Sequence, residues 1–271
     1  MLQHIRSLGA ILRKKRTGPI IRFNRLHSLL IFFLALAAFP LVAHCESIRA
    51  GDVEISTDDF SATLSPEKRV AKCLSCHGNQ AGGDIDFGPD VHFGTPALRG
   101  MRESYLRDAL LAYRDGTRQH KEMSAVAALL DQETTEFMAR SFAAYEVPPM
   151  KSSGELATLA EKDPLFAKGQ ALARQGIPQK GVPACITCHG SLGDGSDIGP
   201  RLAGQNVMYI ESQFESFANG ARQTVQSAIM QPVVAGLTND DIEALAHFFE
   251  SVQKQTGTEE QTGIPGRVPD F

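Results

Sequence analysis

The sequence predicts an all-α protein built from two tandem copies of one small helical unit. Apolar residues recur at helical spacing in both halves of the 271-residue chain, and no long stretch alternates polar with apolar residues as a strand does. The two copies repeat each other at a constant offset of 104 residues, which becomes 107 in the last part of each copy. The pairs that fix these registers are Pro96/Pro200, Tyr105/Tyr209, Gly116/Gly220, Arg118/Arg222, Met123/Met230 and Phe142/Phe249. Each copy spans about 90 residues, so the pattern indicates a duplicated domain rather than a solenoid of short repeats.

The N-terminal segment, residues 1–45, predicts export. It holds seven Lys/Arg and no acidic residue, and an apolar run covers residues 29–42. A basic region followed by about 14 apolar residues is typical of a secretory signal peptide, whereas a membrane span needs about 20. Small residues at Ala43 and Cys45 favour cleavage before Glu46, with an uncleaved membrane anchor as the alternative. We therefore predict a periplasmic protein, soluble or associated with the membrane through this segment.

Removal of the predicted leader leaves a strongly acidic chain. All 31 Asp/Glu remain but only 27 − 7 = 20 Lys/Arg, so the net charge of the mature chain is about −11. Nucleic acid binding needs a basic face, and this balance argues against that class of partner. An acidic surface can instead attract a protein that carries a positive patch.

Local signals predict the individual helices in chain order. Residues 65–67, Ser-Pro-Glu, mark a helix start that runs directly into the first cysteine pair. The helix around Met138 carries an apolar stripe, which predicts a core position for this methionine. In the second copy Gly220 ends one helix, and Thr238 caps the last. The apolar stripes of these two helices are Val207, Ile210, Phe214 and Phe217, then Ile242, Leu245, Phe249 and Val252.

Composition changes divide the chain into five predicted segments. We predict a signal peptide over 1–45, a first domain over 46–150, a linker over 151–162, a second domain over 163–253 and a flexible tail over 254–271. The linker prediction depends on the proline, serine and glycine content of VPPMKSSG.

A Cys-x-x-Cys-His motif occurs once in each copy, in CLSCHG and again in CITCHG. Its residues are Cys73, Cys76 and His77 in the first copy and Cys185, Cys188 and His189 in the second. This is the attachment pattern of c-type haem, because the two thiols can each bond one vinyl-derived carbon of a porphyrin and the histidine can bind its iron. A four-cysteine zinc site, a thioredoxin-type pair and plain disulfides are disfavoured, since none explains a histidine after both pairs. We predict two covalently bound haem c groups.

The repeat register indicates methionine as the sixth iron ligand. Met123 and Met230 occupy equivalent positions, each seven residues before the leucine that opens the last helix of its copy. A thioether ligand raises the reduction potential and closes the iron to substrates. His120 lies three residues before Met123 and stays open as a competing ligand. His92, in the inserted stretch 84–94, is disfavoured.

A proline carbonyl is expected to orient each proximal histidine. Pro200 follows His189 by eleven residues, and its carbonyl can accept from the imidazole N–H and increase the basicity of the ring. In the first copy Pro89 and Pro96 both come into question, and the downstream register favours Pro96.

With these motifs in view, the chain resembles a class I cytochrome c duplicated in tandem, and it is most similar to the diheme cytochromes of the c-four kind. The stretches that carry the resemblance are the two CxxCHG motifs, GPRLAGQNVMYIESQFESFANGAR and SAIMQPVVAGLTNDDIEALAHFFESV. The resemblance implies two His/Met haem domains packed face to face that pass electrons to terminal oxidases or related partners. The insertion at 84–94 and the longer GIPQKGVPA stretch before Cys185 depart from the family pattern.

These observations predict an electron carrier rather than an enzyme. Two irons with both axial positions filled cannot bind substrate, but each can exchange electrons with a donor or acceptor such as a quinol-oxidising complex or a terminal oxidase. The alternative is a cytochrome subunit of a larger dehydrogenase or oxidase complex. A diheme peroxidase is disfavoured, because it needs one iron with an open or displaceable sixth position and both copies offer a methionine.

Overall fold

The structure, a computed structural model, describes residues 48–50, 53–55, 64–78, 81–83 and 94–254. Ten α-helices lie within these ranges, and the all-α prediction is confirmed. They are α1 Pro66–His77, α2 Glu103–Asp115, α3 Lys121–Ala128, α4 Gln132–Ala143, α5 Ser153–Lys162, α6 Pro164–Gln175, α7 Ile186–His189, α8 Val207–Ala218, α9 Ser227–Ala235 and α10 Asn239–Ser251. One short antiparallel hairpin, β1 Ile48–Ala50 and β2 Val53–Ile55, precedes them, and β1 lies against α3. A strand of three residues is too short for an alternating polar and apolar pattern to predict it from the sequence.

The first repeat packs α2 against α3 and α4. Helix α1 begins at Pro66, as the sequence predicts, because proline at the first helical position needs no hydrogen-bond acceptor. Its apolar face contributes Val70 and Leu74 to a core that includes Met138 and Phe142. Met138 is 1% exposed, so its predicted core position is confirmed.

The second repeat centres on α10, which packs against α6 and α8. Thr238 caps α10 as predicted, and its partner in a reciprocal capping box is Asp241. Helices α6 and α10 approach each other closely at Gly169 of α6, where an added Cβ would come within 2.7 Å of the Cβ of Phe248. Members of the predicted apolar stripes form the centre of this core: Ile210, Leu245, Phe249 and Val252 are all buried.

The predicted linker, residues 151–162, contains helix α5. A capping box between Ser152 and Glu155 starts this helix, and Leu156 is buried in the core of the second repeat. The stretch before it is also fixed, because Met150 pairs with Gln253 in an antiparallel backbone bridge. A serine and a glycine at a helix start are typical of a linker and of a capped helix equally, which is why composition alone does not reveal this helix.

The predicted signal peptide and almost all of the predicted tail lie outside the described residues. Across the residues that the structure does describe, none of the helices has the length and apolar character that a membrane crossing requires.

The two repeats belong to one compact unit, and an approximate twofold axis relates the segments through which they contact each other. Arg118 and Arg222, equivalent in the repeat register, pair in an antiparallel backbone bridge. Hydrogen bonds flank it on both sides, from the Gln119 N–H to the Ala221 carbonyl at 2.7 Å and from the Gln223 N–H to the Thr117 carbonyl at 2.6 Å. The same segment of each copy therefore forms the contact, which is the arrangement of a symmetric dimer within one chain.

Candidate haem sites and the wall between them

The first motif occupies the C-terminal end of α1. Cys73 and Cys76 lie one helical turn apart, and His77 is the last helical residue. Gly78 follows with φ +80°, and an added Cβ there would lie 2.7 Å from the Gly83 carbonyl oxygen, so glycine is required for the chain to turn away. Both thiols are unpaired, and burial raises the pKa of Cys73 to about 12.

The second motif is built on the single-turn helix α7. Cys185 is its N-cap residue, Cys188 lies inside it and His189 ends it. Gly190 follows with φ +87°, in the same role as the glycine after the first motif. Both thiols are again unpaired, and burial raises the pKa of Cys185 to about 11.

Each motif histidine is held by a proline carbonyl. His77 Nδ1 lies 2.9 Å from the Pro96 oxygen, and His189 Nδ1 lies 2.8 Å from the Pro200 oxygen. A carbonyl only accepts, so Nδ1 carries the proton and Nε2 is left free to bind a metal. Burial lowers the pKa of both rings, and the bond to the carbonyl opposes that effect. The structure therefore selects Pro96 in the first copy, while Pro89 lies outside the described residues.

The first cavity, of about 410 Å³, brings the first set of predicted residues together. Cys73, Cys76, His77 and Met123 all line it, and His120 lies in the same wall. Side chains of α8, from the other repeat, close the cavity on one side.

The second cavity, of about 550 Å³, repeats the arrangement. It is lined by Cys188, His189 and Met230, and side chains of α2 from the first repeat close it. Cys185 is half-buried beside it and packs against the core of the second repeat.

The alternative ligand His120 has a structural task. Its side chain is the N-cap of α3, where Nδ1 accepts from the Met123 N–H at 3.5 Å, and it also lies 3.4 Å from Glu122 Oε2. The side chain is 54% exposed. These contacts favour Met123 as the ligand. His247, to which the sequence assigned no role, contacts Asp163, the N-cap of α6, at 2.6 Å.

A polar cluster in the wall between the cavities was missed by sequence reasoning. We call it the inter-repeat cluster and define it as Tyr105, Arg118, Tyr209, Gln213 and Arg222. Arg118 donates to the Tyr209 hydroxyl and to Gln213 Oε1, both at 2.7 Å. Arg222 donates to the same Gln213 oxygen at 3.0 Å and to the Tyr105 hydroxyl at 3.4 Å. The constant offset of 104 was the available signal, because it pairs the two tyrosines and the two arginines across the repeats.

The cluster holds two buried positive charges. Arg118 is 4% and Arg222 8% exposed, and their guanidiniums stack on the rings of Tyr113 and Phe217 at 4.5 and 4.6 Å. Among the described residues no carboxylate forms an ion pair with either, and both Nε atoms lack a partner. Although burial raises the pKa of Tyr105, the nearby guanidiniums outweigh this effect and hold the pKa below its ordinary value. Buried cations without anions are unfavourable, so this wall suits a ligand that carries carboxylates.

The donor set fits a covalently attached haem in each cavity. Paired thiols, an imidazole with a free Nε2 and a thioether line or adjoin each space. Arg118 lines both cavities and Arg222 lines the second, and these guanidiniums could pair with the carboxylates that a haem carries. Within the described part of the chain no group of three or more His, Cys, Asp or Glu side chains forms a separate metal site.

Comparison with known proteins agrees with this assignment. The sequence profile of the cytochrome c family matches residues 166–253. The thiosulfate dehydrogenase electron acceptor of Thiomonas intermedia is 34% identical over 69% of this chain and 81% of its own length. Cytochrome c4 of Pseudomonas aeruginosa is 31% identical over 69% of this chain and 86% of its own length.

Structural comparison extends the match to both repeats. The crystal structure of reduced recombinant cytochrome c4 from Pseudomonas stutzeri superposes with a TM-score of 0.57 at 28% identity. It covers 69% of this chain and 97% of that one. With two Cys-x-x-Cys-His sites, the chain carries two covalently bound haem c groups and transfers electrons. It belongs to the diheme class I cytochromes c of the cytochrome c4 family.

Proposed function

We propose that the protein is a periplasmic two-port electron carrier in which each haem has closed His/Met ligation. The observation that carries the proposal is that the methionine at the same position of each repeat, Met123 or Met230, lines the same cavity as the motif histidine of its copy. The proposed thioether residues are Cys73, Cys76, Cys185 and Cys188, and the proposed iron ligands are His77 with Met123 and His189 with Met230. The domain boundaries at 46–150 and 163–253 remain part of this proposal.

The side chains of the protein would share the work of holding and tuning the haem. Two thiols would fix each porphyrin, the carbonyls of Pro96 and Pro200 would orient the imidazoles, and Arg118 and Arg222 would bind haem carboxylates in the dividing wall. Bound haem supplies reversible one-electron exchange at its iron. If a histidine and a methionine bind each iron as proposed, neither iron would offer a site for peroxide or another substrate, which supports a carrier rather than an enzyme.

Relatives suggest the class of partner. Because a similar protein is named as the electron acceptor of thiosulfate dehydrogenase, we propose that this chain accepts electrons from a periplasmic dehydrogenase that oxidises an inorganic sulfur compound. A permanent subunit of such a complex is the second candidate. Mixing the purified protein with a thiosulfate dehydrogenase and thiosulfate tests the pairing. Haem reduction at a rate proportional to enzyme supports it, and no reduction by the enzyme with thiosulfate contradicts it. Co-elution with the dehydrogenase from the native host would favour the subunit.

Replacement of the two methionines tests the ligand set. We expect Met123→Ala and Met230→Ala each to lose half of the methionine–iron charge-transfer band of the oxidised protein and to gain carbon monoxide binding at one haem. Met150→Ala, outside both cavities, is the control and should keep the whole band. A full band in Met123→Ala together with a changed spectrum in His120→Ala would show that the histidine ligates the first iron.

A further inference from the structure

Gln205 belongs to the second repeat, but its side chain binds the backbone of the first. Its Oε1 accepts from the Ala97 N–H at 2.8 Å, and its Nε2 donates to the Ala97 carbonyl at 3.1 Å. The same Oε1 also accepts from the Asn206 N–H at 3.1 Å. Gln205 is 2% exposed, so these bonds form away from water, where each contributes most and would be most costly to lose.

The contact lies one peptide group from the first proximal histidine. The Ala97 N–H and the Pro96 carbonyl are the two ends of a single planar peptide unit. At one end Gln205 accepts the proton, and at the other His77 Nδ1 donates to the oxygen at 2.9 Å. Hydrogen bonds in a chain polarise one another, so accepting from the N–H makes the carbonyl a stronger acceptor for the imidazole proton.

The residue at the equivalent position of the first repeat cannot form these bonds. The offset of 104 places Met101 at the position of Gln205 and Arg201 at that of Ala97. A thioether donates no hydrogen bond and accepts only weakly, so Met101 cannot hold the Pro200–Arg201 peptide as Gln205 holds Pro96–Ala97. The proximal loop of the first haem is therefore anchored by the second repeat through Gln205, whereas the equivalent residue of the first repeat, Met101, cannot form these two bonds.

We propose that Gln205 is a positioning residue for the first haem, through which the second repeat lowers the reduction potential of the first. The proposal rests on the ligation of the first iron by His77. A stronger bond from Nδ1–H to a carbonyl gives the imidazole more anionic character, which stabilises the ferric state. The second haem lacks this contribution, so Gln205 makes the two sites inequivalent.

Gln205→Met tests the proposal in the intact diheme protein, because methionine is the residue that the first repeat carries at this position. Potentials are measured by spectroelectrochemical titration and assigned to each haem with Met123→Ala and Met230→Ala. We expect the reduction potential of the first haem to rise. The rise should change the ratio in which one electron distributes between the two haems by about threefold or more. The second haem's potential should stay unchanged. Gln132→Met, an exposed substitution on α4, is the matched control.

A second variant separates positioning from general damage to the fold. In Gln205→Glu the carboxylate still accepts from the Ala97 N–H and adds a negative charge, so the first potential should fall while the second changes less. An unchanged or raised first potential in this variant would contradict the proposal, which keeps it testable if Gln205→Met fails to take up haem. The NMR shift of the His77 Nδ1 proton should move in Gln205→Met alone. If Gln205→Met keeps the full methionine–iron band but shifts both potentials equally, or shifts neither, the role of Gln205 is refuted. The proposed function then stays intact. A missing band in the wild type refutes the proposed ligands instead.

Discussion

The carboxylate of Asp241 is predicted to contribute measurably to the stability of the second haem domain. It accepts from the Thr238 N–H at 3.1 Å and from Lys168 Nζ at 3.0 Å, at the start of the helix that carries Phe249 into the second cavity. Burial alone would raise the pKa of Asp241, but these bonds outweigh it and lower the pKa from 3.8 to about 2. At 1.36 kcal/mol for each pH unit, the difference is worth about 2.4 kcal/mol at neutral pH.

The sign of the pH dependence follows from the lowered pKa. The stabilisation is complete well above the unfolded value of 3.8, falls to about half at pH 3 and disappears as the pH drops through about 2. We therefore expect Asp241→Asn to lose about 2 kcal/mol of unfolding free energy at pH 7 and about half as much at pH 3. Urea unfolding of the holoprotein, followed by circular dichroism, measures both values. Asp240→Asn, the exposed neighbour in the same helical turn, is the control. Equal stability of the two variants at pH 7 would refute the reasoning.

Two further predictions concern packing and charge. Gly169→Ala should destabilise the protein by about 1–3 kcal/mol, because its Cβ would meet a backbone carbonyl of α10. Gly154→Ala, which has open space, should leave the thermal midpoint unchanged, and equal melting of the two would contradict the packing argument. Arg118→Gln should lower the reduction potentials of both haems, because Arg118 lines both cavities, and Arg222→Gln should mainly lower that of the second. Each shift should be on the order of 59 mV, which corresponds to a tenfold change in the ferric-to-ferrous ratio. Arg174→Gln on the surface of α6 is the control, and spectroelectrochemical titration that finds no difference would contradict a charged wall.

The sequence was most informative where one residue carries a fixed chemical task. The cysteine spacing, the histidine that follows and Met230 at the repeated register each predicted a wall residue of a cavity that the structure contains. Pro200 was predicted from the same kind of argument, and its carbonyl lies 2.8 Å from His189 Nδ1. Local spacing sufficed for the cysteines, the histidines and Pro200, which lie close together in the chain, whereas Met230 was found through the repeat register.

The sequence was least informative where a contact joins distant parts of the chain. Gln205 and Gln213 each appear as one polar residue among many, and their partners lie 108 and 95 residues away. Helix α5 was also missed, because the burial of Leu156 depends on α6 and α10 rather than on the composition of the segment itself. Periodicity measures which face is apolar, but it does not say what that face will meet.

The two haem sites differ through the residues that the repeats do not share. Duplication alone would give two equal sites, and the shared Tyr105/Tyr209 and Arg118/Arg222 pairs are consistent with that symmetry. Ala109 is the equivalent of Gln213 in the repeat register. The amide that bridges both guanidiniums therefore comes from the second repeat only.

The replacement of Met101 by Gln205 at the equivalent position of the second repeat also breaks the symmetry. In both cases the second repeat reaches into the wall of the first. Two equal haems would exchange an electron with no preferred direction, whereas inequivalent ones bias where it resides. The substitutions that break the duplication are therefore where the direction of electron flow through this protein should be encoded.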